Sequence, residues 1–148
     1  MADSKLVVNT VNSLLADMHL LYVKTRNYHW HVKGPHFYAL HALFEQQYTS
    51  LEQAIDLLAE RVVALGGYVP ATLGEILQLA SLKESHTDNQ LPAQAMIEQL
   101  LRDHQSVVAT LRSAVAQLDQ HGDVATSGML TDRIVEHEKA IWVLRSSL

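Results

Sequence analysis

The chain has 148 residues, 48% of them hydrophobic, a formal net charge of −5 and an isoelectric point near 5.9. That length suits one domain, residues 1–148, with a sizeable core, and the acidic balance disfavours an electrostatic grip on nucleic acid while attracting cations. Cysteine is absent, which excludes disulfides and thiolate metal sites and leaves nitrogen and oxygen as the only metal donors. No N-terminal run has the basic-then-apolar character of a signal peptide, and no apolar stretch approaches the about 18 residues that cross a bilayer. A cytoplasmic location without membrane contact is the expectation.

Asp3 or Ser4 is placed to cap a first helix, whose apolar positions Val7, Val11, Leu14, Met18 and Leu21 recur at helical spacing to about Val32. His19 on this helix reads as an ordinary polar or packing histidine, whereas His29 sits near the C-terminal end, flanked by Tyr28 and Trp30. Gly34-Pro35 breaks the pattern and sets the start of a second helix, which ends at Gly66-Gly67 with Pro70 preventing continuation. Thr72 and Glu75 have capping-box spacing and introduce a short helix from Leu73 to Ala80. The polar stretch 81–90 reads as a loop in which His86 is solvated. Pro92 opens a third long helix with Met96, Ile97, Leu100, Val107, Val108, Leu111, Val115 and Leu118 on its apolar side, interrupted by His104, which reads as a satisfied interior or interfacial histidine. His121-Gly122 ends it. Asp123 then caps a last helix with Leu130, Ile134, His137, Ile141 and Leu144 as its stripe and Trp142 at an interface or in the core. No strand pattern competes, so the fold class is all-α: a four-helix bundle with a short extra helix in the connection between helices two and three.

The second helix also carries a polar face. At about 100° per residue, His41, Glu45, Glu52, Asp56 and Glu60 share one arc, while Leu40, Leu43, Phe44, Leu51, Ile55, Leu58, Val62 and Leu65 lie opposite. Di-iron bundles that hold metal inside their core use Glu-x-x-His pairs, and no Glu-x-x-His occurs in this chain. A metal site built on this face therefore points outward. His41/Glu45 and Asp56/Glu60 are separated by roughly 22 Å along the helix, too far to share an ion within one chain. Two copies packed antiparallel about a two-fold axis near Ser50 would bring His41/Glu45 of one against Asp56/Glu60 of the other, twice per dimer. A solvated helix face is the bland alternative. Imidazole with carboxylate suits several divalent metals, zinc included, and spacing alone does not choose among them.

The stretch from His29 to Arg61 resembles the Dps family, the small ferritin-like proteins, or mini-ferritins, of starved or oxidatively stressed bacteria. The matching pattern, H-W-x-V-x-G-x-x-F-x-x-L-H-x3-[DE]-x10-D-x3-E-R, is met by His29-Trp30, Val32, Gly34, Phe37, Leu40-His41, Glu45, Asp56 and Glu60-Arg61. The likeness continues through Gly122-Asp123, Thr126, Glu138-Lys139, Trp142 and Arg145. It implies a ferritin-like bundle, a dodecameric shell built from two-fold dimers, and an intersubunit ferroxidase centre for Fe(II) and hydrogen peroxide. In that centre His29, His41 and Glu45 of one subunit face Asp56 and Glu60 of its mate, with Trp30 beside them to intercept a stray oxidising equivalent, and Fe(III) accumulates as mineral. His31 and His36 lie near enough to be alternative ligands but fall outside the family's ligand pattern. The short helix resembles the one that contributes to the family's dimer contact.

Several positions depart from the family. Glu45 stands where Asp is frequent, which moves the donor by a methylene. Gly128 stands near a position often acidic in the pore-lining segment, leaving Asp119, Asp123 and Asp132 as candidates for guiding iron, with capping and solvation as the alternative. Gln46 and Gln47 make the centre of the second helix less acidic than a strong mineral-nucleating surface. Family members that compact DNA use a flexible basic tail. Here Lys5 is balanced by Asp3 and the chain ends Ser146-Ser147-Leu148, so DNA binding is not expected.

Overall fold

The computed structural model describes residues 3–85 and 91–148, which places the expected solvation of His86 outside the described residues. Helix α1 spans Ser4–His31, α2 Phe37–Ala64, α3 Leu73–Leu79, α4 Ala93–Gln120 and α5 Val124–Ser146. The class is all-α, and the described residues contain no strand. Four long helices form the bundle, and α3 lies in the connection between the second and third of them.

Local chemistry sets each boundary. The Asp3 carboxylate accepts from the Lys5 amide at 3.1 Å, and Thr72 Oγ1 accepts from the Glu75 amide at 3.2 Å while donating to the Glu75 carboxylate at 2.7 Å. Gly66 and Gly122 adopt φ of 81° and 76°, the left-handed conformation that closes a helix C-terminus. Around them Gly67 donates to the Val62 carbonyl at 2.9 Å and Asp123 to the Leu118 carbonyl at 3.1 Å.

The α1 positions picked out by periodicity, Val7, Val11, Leu14, Met18 and Leu21, are all buried, as are Leu40, Phe44, Leu51, Ile55, Leu58 and Val62 on α2. Leu43, Leu65, Val115 and Ile134 pack against that core only in part. Trp142 is 65% exposed, so within one chain it is not a core residue. The expectation that no segment has membrane-spanning character needs correcting for α1: it contains an 18-residue window of mean hydropathy 1.3, long and apolar enough to span a bilayer by those measures. Just over half of that window is buried inside the bundle, and the helix carries the buried polar residues Asp17, Lys24 and Thr25. Its apolar composition follows from packing on several sides at once.

α1 and α2 form an antiparallel hairpin whose register can be read from ring contacts. His29 stacks on His41 and, seven residues earlier, Tyr22 meets Tyr48 edge-on, seven residues later on α2. Buried polar groups then join the helix pairs. Lys24 Nζ meets the Asp103 carboxylate at 2.7 Å, tying α1 to α4. The Asp17 carboxylate accepts from the Ser81 amide, the Ser81 hydroxyl and the Leu82 amide at 2.7, 2.7 and 3.0 Å, anchoring the start of the connection into α4. Between α4 and α5, His104 and His137 are 2% and 1% exposed, with their Nδ1 atoms 2.9 Å apart. His104 is therefore an interior histidine as expected, yet it is satisfied at one nitrogen only, since its Nε2 is buried without a partner.

Burial, reinforced by the nearby Arg133, depresses the His104 pKa to about 3 and holds His137 well below the usual value. Both are lowered from about 6.5, so their contribution to stability is complete above that value. It is lost as pH falls, at up to about 1.4 kcal/mol per histidine per pH unit until the folded-state pKa is reached. We expect the urea midpoint to drop between about pH 6.5 and 4, and a His104→Phe/His137→Leu variant to lose much of that slope. Parallel pH profiles for the two proteins would refute the assignment.

Candidate metal centre

The last turn of α1 and the first turn of α2 are brought together across the Gly34-Pro35 turn, where the Phe37 amide donates to the Gly34 carbonyl at 3.1 Å. That juxtaposition pairs two histidines. His29 Nδ1–H donates to the His41 carbonyl at 2.6 Å, and His41 Nδ1–H donates to the His29 carbonyl at 2.7 Å. The His29 carbonyl belongs to the final turn of α1, where helical carbonyls lack an intrahelical acceptor role, so the bond also completes the helix end. The rings stack at 3.8 Å between centroids, 14° from parallel. In the neutral rings this arrangement puts the proton on Nδ1 and leaves the Nε2 lone pair free, the form in which imidazole binds a metal.

Two aromatic residues that spacing alone did not single out fix these rings. Phe37 stacks on His41 at 5.0 Å, and Tyr48 meets His29 edge-on at 5.4 Å. Their positions, one turn before and two turns after His41, carry the signal that would have found them. Trp30 is 61% exposed, and the Arg26 guanidinium lies 5.1 Å from its ring. His31 turns its Nδ1 to the Asn27 carbonyl and side-chain oxygens, both at 2.9 Å, and His36 is the exposed N-cap of α2; neither joins the pair.

Glu45, Asp56 and Glu60 are exposed on α2, as is Glu52, while the buried side chains of the helix face the bundle. The structure thus assembles His29 with His41 but leaves Asp56 and Glu60 roughly 22 Å along the helix. Among the described residues no three His, Cys, Asp or Glu side chains of one chain converge to hold a metal ion. His19, read from sequence as ordinary, lines one groove with Glu52 and Asp56, and burial lowers its pKa. The hairpin register would have placed it there, since ten residues back from His29 corresponds to ten residues beyond His41.

Glu60 is followed by Arg61, whose Nε donates to Thr126 Oγ1 at 3.0 Å and whose Nη2 lies 3.4 Å from Asp123. Asp123 in turn accepts from the Thr126 amide and hydroxyl at 2.9 and 2.6 Å and is 8% exposed. Its carboxylate is committed to capping α5, with the cap and Arg61 holding its pKa down against the opposing effect of burial. Asp119 accepts from Ser127 Oγ at 2.5 Å, and Asp132 is exposed beside a groove between α2 and α5.

The ferritin-like domain family matches residues 8–148. An uncharacterised low temperature-induced protein of Nostoc sp. is 44% identical over 141 residues, covering 95% of this chain and 78% of that protein. DNA protection during starvation protein 2 of Bacillus anthracis is 35% identical over 145 residues and 98% of both chains. The crystal structure of a Dps protein from Vibrio cholerae O1, described as a member of a broad superfamily of ferritin-like diiron-carboxylate proteins, superposes with a TM-score of 0.91 at 34% identity, over 97% of this chain and 89% of that one. With the motif from His29 to Arg61 and the five-helix architecture, these matches place the sequence: the chain belongs to the Dps family of the ferritin-like superfamily.

Proposed function

We propose that the protein is a ferroxidase and iron store of the cytoplasm. In this reading its subunits pair about a two-fold axis near Ser50 and build a dodecameric shell. His29, His41 and Glu45 of one subunit and Asp56 and Glu60 of its mate bind Fe(II) as substrate. The observation that carries the reading is the reciprocal His29–His41 lock, which leaves both Nε2 atoms available as donors, with Glu45 one turn along α2 from His41 and the remaining carboxylates of the face a helix half-length away. Exposed apolar side chains, Leu73 and Leu77 on α3 and Leu57 and Val63 on α2, supply apolar surface that a second copy would cover.

In the chemistry this arrangement suits, two Fe(II) ions give one electron each to hydrogen peroxide. Its O–O bond breaks, two protons are taken up and two water molecules form, so no hydroxyl radical is released. Fe(III) then hydrolyses and accumulates as mineral. Asp56, Glu60 and His29 hold the tighter iron, and His41 with Glu45 hold the second. Exposed carboxylates at both ends of the dimer contact, with Asp119 and Asp132 at the surface, favour cation delivery.

Anaerobic Fe(II) followed by peroxide is expected to give fast near-ultraviolet absorbance growth at about two Fe(II) per peroxide, with slow growth under oxygen. Asp56→Ala/Glu60→Ala should lose this by at least about a hundredfold, as expected when ligands to a reacting metal are removed, while retaining the shell in size-exclusion chromatography. A variant that oxidises iron at the wild-type rate would refute the site.

The curated relatives include proteins named for DNA protection, but a chain of net charge −5 lacks the phosphate-neutralising excess that duplex binding draws on. We expect no retention of duplex DNA by the assembled protein in a gel shift at about 150 mM salt. Retention at low micromolar protein would overturn this.

A further inference from the structure

A second histidine pair lies away from the ligand face, and its hydrogen-bond polarity is the reverse of the first. Arg133 has only donors, so its Nη2–H donates to His137 Nε2 at 3.3 Å. That fixes His137 as the tautomer protonated on Nδ1, which donates to His104 Nδ1 at 2.9 Å. His104 must then carry its own proton on Nε2. This N–H is buried, 2% of the residue being exposed, and has no partner, and the same is true of the Arg133 Nε–H. Both residues line a cavity of about 170 Å³ between α2, α4 and α5, many times the roughly 10–15 Å³ that one water requires.

The charge around this cavity is also unbalanced. Arg133 is half-buried, burial pulls its pKa down against the opposing pull of Glu136, and no carboxylate lies within salt-bridge distance of it among the described residues. Lys139 and Glu136 line the same cavity from the exposed face of α5, leaving one net positive charge. A guanidinium held partly out of water, with its nearest carboxylate beyond salt-bridge distance, is costly. From α2 the cavity receives Ser50 and Gln47, and Gln47 Oε1 is a buried acceptor without a donor.

We propose that this cavity binds a small oxyanion that carries a proton, of the inorganic phosphate class. The anion accepts from Arg133 Nε–H and His104 Nε2–H, and its own P–OH donates to Gln47 Oε1. A cation does not fit, because Arg133 occupies His137 Nε2 and both remaining buried nitrogens present hydrogens rather than lone pairs. The site is independent of the iron chemistry proposed above and is tested without iron.

Inorganic phosphate titrated calorimetrically into iron-free and phosphate-free assembled protein, in chloride buffer near neutral pH, is expected to saturate at one per subunit. Arg133→Gln should weaken binding by about tenfold or more, the scale of one charged hydrogen-bonding partner. Glu136→Gln, an exposed change that leaves the bundle intact, should tighten phosphate severalfold by removing a like charge. Sulfate, lacking the donor for Gln47, should bind more weakly than phosphate. Absence of saturable phosphate binding in the wild type, equal binding in Arg133→Gln, or weakening by Glu136→Gln would each overturn the proposal. So would stoichiometric Zn(II) binding lost in His104→Phe with no response to phosphate.

Discussion

Two imidazole-to-carbonyl hydrogen bonds, His29 to His41 and back, lock the α1–α2 hairpin, and the register they fix decides what every later element meets. Each is worth about 1 kcal/mol, modest against the burial of a whole helix face, but their effect is on geometry. A one-residue slip of α2 would rotate its faces by about 100°, turning Phe44 out of the core and swinging Asp56 and Glu60 off the outward arc. With the hairpin in register, Lys24 reaches Asp103 and Asp17 reaches Ser81, so α1 holds both α4 and the connection that leads into it. Arg61, adjacent to Glu60, then binds the cap of α5 through Asp123 and Thr126. The outward carboxylates are thus positioned by a chain of polar contacts running through all four long helices.

Much of this was legible in the sequence because the responsible chemistry is local. Caps at Asp3, Thr72 and Asp123 and the glycines at 66 and 122 act within a few residues, and the amphipathic face of α2 needs only the helical period to be seen. Trp142 and the apolar α1 read less well for one shared reason: exposure and burial depend on how many neighbours surround a helix, which periodicity does not report. Asp123 illustrates the same limit. Its place just after His121-Gly122 announced a cap, but that the cap would absorb the carboxylate fully, with Arg61 added from α2, required the packing of two helices more than sixty residues apart in the chain. His19 and the His104–His137 pair were visible as residues but not as neighbours. Their meanings came from helix registers, which a single side chain does not encode.

The two histidine pairs show how far identical side chains can diverge in chemistry. In the first pair backbone carbonyls take both Nδ1 protons, so both Nε2 atoms are left as lone-pair donors, suited to a metal ion. In the second, a guanidinium occupies one Nε2 and the rings are linked Nδ1 to Nδ1, so the free nitrogen at the end of the relay carries a hydrogen, suited to an acceptor. Neither outcome follows from the presence of two histidines, nor from burial alone, since His29 is 7% exposed and His104 2%. What differs is the group at the far end of each pair: a carbonyl oxygen, which can only accept, or an arginine, which can only donate. That single choice sets the tautomer, and the tautomer sets whether the site meets a ligand with lone pairs or with hydrogens. In this subunit the carbonyl-backed pair lies by the acidic outer face of α2, and the arginine-backed pair lies in the one-charge-positive cavity between α2, α4 and α5. At each place the hydrogen-bond polarity and the local charge select the same sign of ligand.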